Sequence, residues 1–155
     1  MNQARAESVV DRIRIQSRFA DTEVDPRDIV SFPDGLPGYE GRREFVLLDS
    51  EEIAPLKVLH GIGADQPCFL VVDPTSVLSN YRCELASADR LRLGAGTDES
   101  GLLWLSIVTV REDGTVTANL RAPIVINTDR MVGRQVMPNN GLYPLHQTMA
   151  LGEGD

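Results

Sequence analysis

Two histidines, His60 and His146, two cysteines, Cys68 and Cys83, and one lysine, Lys57, are the scarcest reactive side chains of this 155-residue chain. Their spacing does not suit chemistry. No two candidate ligands stand at the short separation that a zinc site favours, and a lone His inside a strand-like run, as His60 is, reads as structural or surface. Cys83 is flanked by Arg82 and Glu84 with Tyr81 nearby, and only Arg82 would lower its pKa, so a nucleophilic role has little support. No G-x-G-x-x-G follows a strand, and the single lysine rules out a phosphate loop ending in Gly-Lys-Ser/Thr. Among 23 acidic residues no spacing picks out a catalytic carboxylate pair, although a hydrolase using one remains an alternative. The residues thus give catalysis no positive support and single out no catalytic, metal or cofactor position.

Charge narrows the partners. The 23 acidic residues outweigh 15 basic ones to give a net charge of −8, which argues against direct nucleic-acid binding through a basic surface. The longest apolar stretch, Gly101 to Val110, falls far short of the roughly 20 residues a helix needs to cross a bilayer. The N-terminus lacks an uninterrupted apolar run before Asp11, Arg12 and Arg14, so neither a membrane segment nor a secretory signal is expected. That places the chain in the cytoplasm, where Cys68 and Cys83 would be separate thiols rather than a disulfide. The acidic runs Asp49 to Glu52 and Asp98-Glu99 read as solvated turns.

Helical periodicity is nearly absent, and strand signals dominate. Ile13, Ile15, Ser17 and Phe19 alternate with polar residues, Ile29 to Phe32 and Phe45 to Leu48 are short apolar runs, and Leu56 to Ile62 and Cys68 to Val72 follow. Ser87 is placed to cap one short helix over Ala88 to Leu93, ended by Gly94. Leu102 to Arg111 and Thr115 to Leu120 flank Asp113-Gly114, a two-residue hairpin signal. Pro123 interrupts before Ile124 to Ile126, so that strand starts at a sheet edge or after a bulge; Val132 to Met137 is the last candidate. Short strands joined by turns predict an all-β domain, a small antiparallel β-barrel-like or sandwich fold with at most one short helix. Residues 1–12 form an N-terminal extension, 13–143 the single domain and 144–155 a mobile tail.

Two segments are candidates for recognition. Phe32 to Glu40 is stiffened by Pro33 and Pro37 and freed at Gly35 and Gly38, which suits either a shape-setting loop or a contact surface built on Phe32, Leu36, Pro37 and Tyr39. Asn119 to Asn127 reads equally as packed core with Pro123 at a bulge, or as an exposed edge able to add a partner strand through Asn119, Arg121, Pro123, Ile124, Ile126 and Asn127. If that edge is an interface, Ile126→Asp weakens partner binding; if it is core, the substitution prevents folding.

The same segments carry a resemblance. Phe32-Pro33-Asp34-Gly35-Leu36-Pro37-Gly38-Tyr39-Glu40 with Phe45 to Leu48, then Phe69 to Pro74 and Tyr81, then Thr117 to Asn127 with Arg130 and Gln135, resemble the flagellar assembly factor family FliW in order, spacing and length. The resemblance spans about residues 13 to 143. It implies a non-catalytic β-barrel-like cytoplasmic protein that binds flagellin and also CsrA, a dimeric RNA-binding regulator that represses translation of flagellin mRNA. The implied logic is a partner switch: flagellin occupies the protein until it is exported, and the freed protein then binds CsrA and relieves repression. An acidic chain would be steered to a basic RNA-binding dimer, and would disfavour phosphate nearby even without covering the RNA surface.

Overall fold

The computed structural model describes residues 12–17, 20–63, 67–96, 99–138 and 143–149. Its strands are β1 (Ile13–Gln16), β2 (Asp21–Val24), β3 (Ile29–Ser31), β4 (Glu44–Asp49), β5 (Lys57–Gly61), β6 (Cys68–Val72), β7 (Leu102–Val110), β8 (Val116–Ala118), β9 (Ile124–Asn127), β10 (Val132–Gln135) and β11 (Gln147–Met149), with one α-helix, α1 (Ser87–Leu93). The order β7-β6-β5-β4-β3-β10-β9 returns to β7, because β9 pairs with β7 as well as with β10, and this closes a barrel of 7 strands. Neighbours run antiparallel except β3 and β10, which meet in parallel at Ser31 and Val132. β8 continues outward from the C-terminal part of β7, and β11 adds to β8.

Alternation along β7 explains why so many apolar residues are consecutive there. Leu103, Leu105 and Ile107 face the barrel interior, whereas Leu102 and Trp104 pack towards Leu93 of α1. Both faces are covered. β4 behaves alike: Phe45 and Leu47 point inward, and Val46 and Leu48 lie beneath the separate β1–β2 hairpin with Ile15 and Val24. The interior is filled by Phe32, Phe45, Leu59, Leu105, Ile124 and Ile126, all at most 2% exposed. A small barrel packed with its own side chains has a core rather than a ligand chamber.

Four expectations change in detail. Ser87 is the first helical residue, and the cap position belongs to Ala86, which makes no side-chain capping bond. Gly94 does end the helix, at φ +70, with Gly94 N–H donating to Leu91 O and Ala95 N–H to Arg90 O. The hairpin after β7 has a three-residue loop, Glu112-Asp113-Gly114, because Arg111 N–H donates to Thr115 O and Gly114 takes φ +88. β9 is no edge: it has β7 on one side and β10 on the other, and the buried Pro123 stands one residue before the strand, where its carbonyl still accepts from Val136 N–H at 2.9 Å. Finally, part of the expected tail is ordered, since β11 pairs with β8 from Gln147 to Met149. A three-residue strand with little alternation leaves no sequence pattern to read. The N-terminal extension up to residue 11, Phe19, Asp98 and residues 150–155 lie outside the described residues.

One glycine governs core packing. A Cβ on Gly133 of β10 would stand 2.7 Å from Phe32 Cζ and 3.2 Å from Ile126 Cγ1. Phe32 is fully buried and has nowhere to retreat. Gly133→Ala is therefore expected to destabilise the chain by about 1–3 kcal/mol, the usual range for overpacking. A urea titration measures it, and a midpoint equal to that of the native sequence would contradict this packing.

Candidate protein-binding surface

The residues of the Asn119 to Asn127 string mostly build the barrel closure. Asn119 Oδ1 accepts from the N–H groups of Arg121 and Ala122, each at 3.0 Å, which folds the chain from β8 towards β9. Gln135 Nε2 donates to Ala122 O at 2.8 Å, and Arg121 Nε donates to Tyr143 O at 2.9 Å. At the other end, Asn127 Nδ2 donates to Leu93 O at 2.8 Å, and its Oδ1 accepts from Asp129 N–H at 3.0 Å. One amide thus ties the C-terminus of α1 to the turn leaving β9. Arg130 lies over Gly94, where a Cβ would come within 2.7 Å of its Cδ.

The Phe32 to Glu40 loop folds back on itself. Phe32 N–H donates to Arg43 O, Gly35 N–H to Phe32 O and Tyr39 N–H to Leu36 O, at 2.7–2.8 Å. Gly35 sits at φ +66, and a Cβ there would lie 2.5 Å from Glu40 Cα, so both the conformation and the space require glycine. The Phe32 ring meets Phe45 edge-on at 5.4 Å, and Leu36 is 1% exposed. These anchors leave Pro37, Gly38, Tyr39 and Glu40 at the surface. Tyr39 remains 44% exposed while its ring rests edge-on against Phe69 at 5.5 Å. Asp34 pins the loop further through Arg134, whose Nε donates to Asp89 Oδ1 at 2.9 Å.

The two segments therefore meet in the interior, where Phe32, Leu36, Ile124 and Ile126 share one cluster. Pro123 and Asn127 are also buried. Of the ten candidates, only Pro37 and Tyr39 are exposed, with Asn119 and Arg121 half-buried. Within the Phe32 to Glu40 loop, the part left open to solvent is the Pro37 to Glu40 tip with its aromatic support.

The reactive side chains have structural partners. His60 is 4% exposed, with Nδ1 2.8 Å from Gly61 O and Nε2 2.8 Å from Ser17 Oγ, which fastens the β1–β2 hairpin to β5. His146 is exposed on the approach to β11. Cys68 and Cys83 are free thiols. Burial pushes the Cys83 thiol up, away from the reactive thiolate, and also raises the Tyr81 phenol, whose hydroxyl donates to Leu120 O at 2.9 Å.

A cavity of about 350 Å³ between the end of β6 and the start of β7 escaped the sequence reading; Asp73, Pro74, Tyr81, Cys83, Leu102 and Trp104 are among its lining residues. The only hint was length: β7 has 9 residues, and its neighbour β6 has 5.

Comparison with known proteins decides the family. The model of the FliW protein family matches residues 14–149. The chain belongs to the FliW family. A flagellar assembly factor FliW from Desulfitobacterium hafniense is 33% identical over 139 residues, covering 88% of this chain and 91% of that protein. One from Syntrophotalea carbinolica is 35% identical over 111 residues, covering 72% and 79%. A crystal structure of the flagellar assembly factor FliW superposes with a TM-score of 0.78 at 30% identity, over 93% of this chain and all of that one. The FliW resemblance is thus observed, and of the barrel-like and sandwich forms expected from the sequence the chain takes the barrel-like one, with a single helix. Among the described residues no helix is long and apolar enough to cross a membrane.

The placement of the ten candidates separates two substitutions. Ile126→Asp puts a carboxylate into a site 2% exposed, a change of the kind that exceeds about 4 kcal/mol, and should abolish the folded circular dichroism spectrum. Tyr39→Ala removes a half-exposed ring and should cost no more than about 1.5 kcal/mol in a denaturant titration. Equal stability of the two variants would overturn this division between core and surface.

Proposed function

We propose that this chain is a non-catalytic, cytoplasmic flagellar assembly factor that binds flagellin and, when free of it, binds the translational regulator CsrA and relieves repression of flagellin mRNA. The observation that carries the reading is membership of the FliW family over nearly the whole domain. The structural setting is consistent with binding rather than turnover: both His60 nitrogens are engaged, Cys83 is held as a thiol, and the barrel interior is occupied by side chains. The last feature disfavours a small-molecule-binding barrel, and a hydrolase gains no support from any arrangement described above.

Antagonism is proposed to work from beside the RNA surface. A net charge of −8 carried by a protein docked next to a basic RNA path repels phosphate within roughly a Debye length, about 8–10 Å at physiological salt, without overlapping the RNA. Flagellin is proposed to dock its helical terminal region on an apolar surface, for which the Tyr39 tip over Phe69 is the candidate.

Size-exclusion chromatography with flagellin, with CsrA and with both together tests the switch. Each should co-elute with the chain, and a saturating amount of flagellin should remove CsrA from the complex. A stable complex of all three would overturn the partner switch. The adjacent-site mechanism further predicts that raising salt from 50 to 500 mM weakens the antagonism of RNA binding about tenfold or more, read by RNA gel shift. An unchanged effect over that range would favour direct occlusion.

A further inference from the structure

Three consecutive residues of β7, Leu102, Leu103 and Trp104, line the cavity of about 350 Å³ beside β6. Successive side chains of a strand point to opposite faces, so a cavity touching all three runs along the backbone edge. Strand pairing shows why that edge is open. β6 pairs with β7 only from Leu70–Val108 to Val72–Ser106, and then Asp73-Pro74-Thr75 turns the chain away. On its other side, β7 is paired with β9 from Leu102 to Leu105. Residues 102–105 therefore carry a strand on one side alone.

Register shows which backbone groups face the opening. Thr128 N–H donates to Gly101 O at 2.9 Å, and alternation then turns the peptide groups of Leu103 and Leu105 towards β9 and those of Leu102 and Trp104 away from it. Leu102 N–H is taken by Glu99 O at 3.1 Å. The Leu102 carbonyl and both peptide groups of Trp104 are left pointing into the lane that β6 vacates. Tyr81 and Cys83 also line the cavity, in a stretch without regular secondary structure held by the Tyr81–Leu120 and Arg82–Tyr143 hydrogen bonds.

We propose that this slot is a protein-docking site that accepts an extended segment of the partner as an added strand, in line with β6. The inference rests on the function proposed above and assigns the slot to CsrA. A donor and an acceptor on one residue, Trp104, match the pair of bonds that one residue of an added strand exchanges. A helix cannot supply them, because its own peptide groups are bonded internally, so the helical ends of flagellin do not fit. A basic RNA-binding partner is also the one that the net charge of −8 attracts. Pro74, Tyr81 and Leu102 offer an apolar wall for one side chain of the added strand.

Amide exchange read by nuclear magnetic resonance on the isotope-labelled chain tests the proposal. In the free chain the Trp104 amide should exchange at least about tenfold faster than those of Leu103 and Leu105. Saturating unlabelled CsrA should slow Trp104 by about tenfold or more, and flagellin should leave it unchanged. Thr75→Trp, placed at an exposed position on the rim, should plug the slot and weaken CsrA binding about tenfold while the melting temperature stays the same. A Trp104 amide already slow in the free chain, or slowed by flagellin, would overturn the assignment. CsrA that binds without changing Trp104 would overturn this inference and leave the proposed function standing; CsrA that fails to bind the unaltered chain would overturn both.

Discussion

The pairing of β9 with β7 is the constraint on which the rest of the molecule depends. Without it the sheet would be an open, twisted strip with two raw edges; with it, the inward faces of seven strands enclose one core. Closure needs β9 delivered at the right height and angle, and two asparagines at its ends arrange that. Asn119 folds the approach from β8, and Asn127 fastens the exit to α1. Each side-chain amide replaces backbone partners that irregular segments would otherwise lack, which is why a polar pair stands beside so apolar a strand.

Closure also decides what the surface can offer. Once Phe32, Leu36, Ile124 and Ile126 are committed to the interior, the Phe32 to Glu40 loop is held by its buried end and can present only its tip. The anchored loop keeps Tyr39 in one place against Phe69, so the loop loses little conformational freedom when the tip is covered. A recognisable string of residues and an exposed contact are therefore different things in this chain. Most of the string is needed to make a barrel that can display anything.

The strands were legible where burial is one-sided or continuous. Cys68 to Val72 matches β6 at both ends, and the long run in β7 shows at once in its apolar residues. What stayed hidden depends on neighbours distant in sequence. A single proline before Ile124 reads as an edge signal, yet β9 gains its second neighbour from β7, about twenty residues earlier. β11 borrows its order from β8, and three residues cannot announce that alone. The slot beside Trp104 is a mismatch between the lengths of two strands, a property of their pairing and of no residue in either.

The parallel contact between β3 and β10 joins segments about a hundred residues apart, and the Asp34–Arg134 ion pair spans 100 positions. On a ribosome, β3 to β6 emerge as an incomplete sheet whose β3 flank stays bare until β10 has left the exit tunnel. Contacts of such long sequence separation form late and slowly. The nascent chain must pass its synthesis time with an unmatched strand edge and a half-built core, the state in which chains are most exposed to aggregation and most in need of chaperone shelter. The cost of this topology thus falls during translation, before the barrel has closed.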